Sequence, residues 1–305
     1  MKLRHPFLYL VLASGLIAGA LLVFNADRED PGISSSVLAR DKVAVIDIVG
    51  VITSSHDVSQ GTSSSRRIIE QLEKYGENDS VKAIVLRIDS PGGTVVAAQE
   101  VYGAVNRLRS ETGKTVVVSM ADVAASGGYY IACAADRIFA NPGTITGSIG
   151  VIMQFPNLEG LFGKVGIRTT TIKSGQFKDT GNALREMTEQ ETRLLQDLID
   201  DVFAQFVDAV GKGREMEEEE VRALADGRIF TGRQAKELGL VDELGDLDEA
   251  VNRAAELAGI EGEPVILEEK KKRRFWDLLE SRLAGIIPPT GGFAVAGGRL
   301  FYLWK

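Results

Sequence analysis

Histidine and cysteine are nearly missing from this 305-residue chain, which has two histidines, His5 and His56, and a single cysteine, Cys133. That scarcity excludes a good deal. No intrachain disulfide forms from one cysteine, and a zinc site of the common His/Cys type lacks ligands. A Ser-His-Asp triad would have to use His56, because His5 sits beside an apolar N-terminal segment. Positive charge is also short: 35 Lys and Arg stand against 43 Asp and Glu, a net charge of −8. Binding a phosphate backbone needs a basic surface, so a nucleic-acid partner is not expected. The acidic clusters at 217–220 and 242–248 read as solvated helix faces, and no metal or cofactor is expected.

One long apolar run is present. Residues 7–24 carry no charge, and as a helix at ~1.5 Å per residue they reach roughly 27 Å, enough to cross a bilayer core. Lys2 and Arg4 precede the run, whereas Arg28 follows it among Asp27, Glu29 and Asp30. This bias predicts a single-pass anchor in the cell membrane, with the N-terminus cytoplasmic and the bulk extracytoplasmic. A cleaved signal peptide is the competing reading. Ala18-Gly19-Ala20 suits cleavage, but residues 21–24 continue the apolar run beyond it, which favours retention. The expected organisation is a cytoplasmic stub (1–6), a transmembrane anchor (7–24), a linker (25–41), an enzyme domain (42–267) and a C-terminal tail (268–305).

Within the domain, strand and helix patterns alternate. Residues 43–49, 83–88 and 115–120 are apolar strands of the kind buried on both faces of a parallel sheet. Residues 64–75 read as a helix. The segment 89–93 reads as a turn into a helix capped by Thr94, and 137–140 and 148–152 read as short strands. Thr188 and Glu191 form a capping box opening a long amphipathic helix, with Leu194, Leu195, Leu198, Val202, Phe206 and Val210 on one face. Shorter helices follow at 221–225, 232–238 and 247–257. The fold class is α/β, with an α-helical arm inside the domain.

Ser126 stands where chemistry would be expected. It follows a strand, precedes Gly127 and Gly128, and opens a small-residue helix, so unpaired backbone N–H groups beside it could hold a developing oxyanion. A serine before a helix is more often a plain N-cap. With so little histidine, a base for Ser126 is sought among the lysines.

Five motifs, in this order, carry a resemblance: Ile88-Asp89-Ser90-Pro91-Gly92-Gly93, Ala125-Ser126-Gly127-Gly128-Tyr129-Tyr130, Thr146-Gly147-Ser148-Ile149-Gly150-Val151-Ile152, Lys173-Ser174-Gly175-Gln176-Phe177-Lys178-Asp179 and Asp226-Gly227-Arg228-Ile229-Phe230-Thr231-Gly232-Arg233-Gln234-Ala235. Over residues 1–267 the chain resembles bacterial signal peptide peptidase A of the half-length, single-repeat type. The resemblance implies a Clp protease/crotonase-like fold of repeated β-α units. It implies Ser126 as nucleophile, Lys178 as general base and Ser148 as its assistant. It also implies a homo-oligomeric ring in which serine and lysine come from neighbouring subunits, and leftover signal peptides or other hydrophobic peptides as substrates. Spacing alone does not choose Ser126 over Ser148, or Lys178 over Lys173.

A lysine base has an ordinary pKa of ~10.4, so work near neutral pH needs a depression of about three units, roughly 4 kcal/mol. Burial of Lys178 is the expected source. Gly92-Gly93 resembles the first half of the oxyanion hole in this fold, supplied by Gly93, since a glycine lets its N–H approach closely, and the N–H of Gly127 is the expected second half. Two alternatives remain open: a catalytically silent membrane scaffold, and a crotonase-type acyl-thioester enzyme. An export anchor argues against the second. Residues 300–304 form an apolar end that either packs on its own domain or a neighbour, or lies extended in the binding groove by strand addition.

Overall fold

A computed structural model describes residues 41–54, 62–269 and 301–303. The expected anchor at 7–24, residues 25–40 of the expected linker and His56 lie outside the described residues. Among the described residues no helix is long and apolar enough to cross a membrane.

Three apolar runs make the centre of the main sheet: β1 (Lys42–Val49), β4 (Val81–Ser90) and β6 (Thr115–Ala125). All pair in parallel, and the order is β10-β7-β6-β4-β1-β11, with β8 and β9 branching from β6. The flanking strands are β7 (Arg137–Ala140), β8 (Ile145–Gly147), β9 (Ile229–Thr231), β10 (Glu243–Leu244) and β11 (Val265–Glu268). Strand alternation sorts the side chains onto two faces. Ala44, Ile46, Ile48, Leu86 and Val118 join a core with α1 (Ser65–Gly76), α2 (Val95–Thr112) and α3 (Gly127–Ala132). Val43, Val45, Val85 and Val117 face α8 (Leu247–Leu257) on the other side.

A second small sheet has the order β12-β5-β2-β3. It consists of β2 (Val51–Thr53), β3 (Thr62–Ser64), β5 (Gly92–Thr94) and β12 (Phe301–Leu303). The segment expected as a plain turn is therefore strand at Gly92–Thr94. Its glycines give no strand propensity; pairing on both sides makes it one. The chain's end does add as a strand: β12 runs antiparallel to β5, with Tyr302 opposite Gly93.

Between β8 and β9 the chain leaves the sheet as an arm holding α4 (Glu159–Lys164) and the first half of α5 (Glu189–Arg214); α6 (Glu218–Leu224) and α7 (Gly232–Glu237) return it. The expected strand at 148–152 is displaced to Ile145–Gly147, since β6 and β9 bond the chain at 145–147. The capping box of Thr188 with Glu191 is present. The expected inward face of α5 is corrected in its first half: Leu194 is 40% and Leu198 47% exposed, whereas Val202, Phe206 and Val210 are buried.

Candidate active site

Ser126 lies at the carboxyl end of β6, the end of parallel strands where open α/β sheets bind ligands. It occupies the N-cap position of α3, with φ 52° and ψ −114° and no side-chain cap hydrogen bond. The plain N-cap role is thereby removed. Its N–H donates to the Gly147 carbonyl at 2.8 Å, and its own carbonyl accepts from the Tyr130 N–H at 2.8 Å. Ser148 has φ 50°. Its N–H donates to the Arg228 carbonyl at 2.8 Å. Among the described residues the non-glycine positions with positive φ are Ser126, Ser148 and Glu215. Such backbone costs energy and is held only where surroundings enforce it, often at working sites.

The two serines are brought together by register. Ala125 pairs with Gly147 in parallel, so each serine is the residue just past a shared rung. Both are buried, Ser126 1% and Ser148 8% exposed. Gly147 has φ 80°, and a Cβ there would lie 2.6 Å from the Phe230 ring. Only glycine fits that rung.

Gly93 lies across from the serine turn. A Cβ on Gly93 would come within 1.9 Å of the Ile52 carbonyl oxygen, so β5 approaches β2 in a way no other residue allows. Buried Ser90 orients this strand, its Oγ accepting the Gly92 N–H at 3.0 Å. Gly128 packs on the same corner, where an added Cβ would meet the Ser90 carbonyl at 3.3 Å. The strand of Gly93 and the helix start at Gly127 thus share one corner, and β12 lies along the open edge of β5.

Lys178 differs from expectation. Its side chain is exposed, and no residue between 151 and 190 is buried. Ile152, Leu161, Val165, Ile167, Ile172 and Phe177 all project from the arm, Ile172 being 97% exposed. Apolar walls around Lys178 are therefore not supplied by its own chain. Beside it, Asp179 accepts from Lys173 Nζ at 2.6 Å and from Arg185 Nη2 at 2.8 Å. Arg185 also binds Glu191. Hydrogen bonds from Arg185, then the Thr188 N–H, pull the Glu191 carboxyl down to about 2. Arg185 and Lys173 hold Asp179 well below the usual carboxylate range.

Residues 109–261 match Peptidase family S49, and residues 41–145 match Clp protease. A Synechocystis sp. protein, named provisionally as a protease, is 47% identical over 229 residues, covering 75% of this chain and 79% of that one. The chain belongs to peptidase family S49. An Enterococcus faecium relative, provisionally named signal peptide peptidase SppA, is 35% identical over 214 residues (69% of this chain, 62% of that one). The chloroplast serine protease SPPA of Arabidopsis thaliana is 35% identical over 225 residues (72% and 33%). This family S49 chain is a serine peptidase with a Clp protease-like domain.

Other groups are set aside by their surroundings. Burial pushes the Cys133 thiol up to about 12, which suits an inert core residue. Asp242 is not a solvated helix face: Arg214 grips it with two hydrogen bonds of 2.9 Å. A cavity of about 650 Å³ beside that pair is lined by Arg109, Asp136, Lys212 and Arg214, and it includes none of Ser126, Ser148 and Lys178. Among the described residues no cluster of His, Cys, Asp and Glu is suited to a metal. Sequence reasoning missed Arg185. Its one signal was the Thr188–Glu191 capping box, which put Glu191 at a fixed point near the lysine motif.

Proposed function

We propose that this serine peptidase is a membrane-anchored endopeptidase with a Ser126–Lys178 dyad, cutting signal peptides and other hydrophobic peptides inside a ring of copies. The carrying observation is the β6–β8 register, which sets Ser126 and Ser148 side by side on strained backbone. In this reading the neutral Lys178 amine takes the Ser126 Oγ proton as Oγ attacks the peptide carbonyl carbon. The N–H groups of Gly93 and Gly127 hold the oxyanion. Lys178 then gives the proton to the leaving nitrogen, the C–N bond breaks, and an acyl-serine remains. Water adds next, its proton passing through Lys178 back to Oγ, and the acid product leaves. Ser148 orients the amine.

Two features support the finer points. An apolar peptide suits an enzyme with the uncharged run at 7–24, and the E. faecium relative bears a signal peptide peptidase name. The exposed Lys178 and the apolar arm around it favour a site completed by a second copy, whose surface would supply the missing burial. A silent scaffold would not need the strained serine pair. The test is hydrolysis of a hydrophobic peptide by the protein lacking residues 7–24 and by its Ser126→Ala variant. The variant should be inactive with an unchanged melting transition. Equal rates would remove Ser126 as nucleophile.

A further inference from the structure

We propose that Arg185 is a positioning residue for peptide hydrolysis, its guanidinium shared between Asp179 and Glu191 so that the Lys178 turn is fixed to the start of α5. This rests on Lys178 being the base.

The arm has no buried residue from 151 to 190, so apolar packing within the chain does not set the direction of Lys178. Polar contacts do. Arg185 Nε donates to Asp179 Oδ2 at 3.0 Å, and Nη2 donates to Oδ1 at 2.8 Å and to the Asp179 carbonyl at 3.1 Å. Nη1 donates to Glu191 Oε2 at 2.8 Å, and Nη2 reaches Oε1. A planar fork of five N–H donors spans two carboxylates at once; a lysine ammonium has no such shape.

Both ends of this clamp matter. Asp179 is bonded to Lys178 in the chain, so fixing its side chain and carbonyl sets how Lys178 leaves the backbone. Glu191 is the first buried residue after position 190, 2% exposed, and it closes the capping box on Thr188. Further along the same helix Phe206 packs edge-on to Tyr130 at 5.1 Å. Tyr130 belongs to α3, and its N–H binds the Ser126 carbonyl. Helix, aromatic contact and hydrogen bond therefore tie the lysine turn to the core of its own copy, leaving the turn held in place to meet the serine of a neighbour. Lys173 also pairs with Asp179, but its side chain is 34% exposed and it reaches no second element. It is an accessory.

A misplaced base costs rate without weakening substrate binding, and an unchanged melting transition separates positioning from a loss of folding. The experiment compares kcat and KM of the full chain in detergent with those of Arg185→Ala, Arg185→Lys, Asp179→Asn, Lys173→Ala and Lys178→Ala. For Arg185→Ala, kcat should fall about 100-fold while KM stays within about threefold, and added methylguanidinium should restore part of kcat. Asp179→Asn should lose kcat in the same way, Arg185→Lys should lose less than Arg185→Ala, and Lys173→Ala should stay within about threefold of wild type. A merely structural role gives no methylguanidinium rescue, and its absence overturns the proposal. So does wild-type kcat in Arg185→Ala when Lys178→Ala is dead. Should Arg185→Ala fail to fold, wild-type kcat in Asp179→Asn overturns it equally. Full activity in Lys178→Ala would instead sink the base assignment itself, a result readable apart from the others.

Discussion

At the residue scale, the backbone of Ser126 costs stability that a glycine would recover. With φ 52° and ψ −114°, the serine sits in a region worth about 1–3 kcal/mol of strain, while glycine loses about 0.5–1 kcal/mol more entropy on folding. Ser126→Gly should therefore be inactive yet more stable than Ser126→Ala, by about 1 kcal/mol. Urea unfolding of the two variants checks this, and equal stability would mean the turn is unstrained. The serine itself was legible in sequence because two glycines follow it after a β-branched run. Its strain was not, since φ is enforced by pairing with β8, twenty residues on. Arg185 was barely legible: the Thr188–Glu191 capping box marked one partner, but no local pattern announces a guanidinium shared with Asp179.

At the element scale, the central strands and the helix at 247–257 followed from apolar runs and helical spacing alone, because burial on both faces or one face imposes those periods. Gly92–Thr94 did not, because a strand of two glycines exists only through its neighbours. One of them is β12, opposite Gly93. Strand addition at that edge is the peptide-binding mode expected of the groove, so the tail would act there as a product-like plug. Deleting residues 300–305 should raise peptide hydrolysis. Active enzyme, unlike Ser126→Ala, should show trimming within residues 298–305 by mass spectrometry. Intact masses in both and unchanged hydrolysis would leave β12 a packing role only.

The clamp at the start of α5 has a pH signature. Glu191 is lowered from its ordinary 4.5 to about 2. A folded value below the ordinary one means its contribution is full above about pH 4.5 and fades as the pH falls towards 2. Limited pepsin digestion should spare the arm at about pH 4 and nick it within 151–188 at about pH 2, whereas Arg185→Ala should be nicked at both. Equal protection of wild type and variant at about pH 4 would deny the clamp its holding role.

At the scale of the whole molecule, the unburied arm is the feature sequence periodicity could not interpret. Leu194 and Leu198 carry the same spacing as Phe206 and Val210, yet only the latter pair meets the core. Periodicity reports that a face will be covered, and does not say by which chain. An exposed Lys178 amid exposed apolar residues, in a chain whose Ser126 is buried, is what the proposed shared site requires. The central claim is that the reacting pair is Ser126 of one copy and Lys178 of another. Mixing Ser126→Ala and Lys178→Ala protomers tests it most directly. Each parent should be inactive, and equal mixing into shared rings should rebuild both groups at about a quarter of the sites, with activity to match. Verified mixed rings without activity would contradict the shared pair.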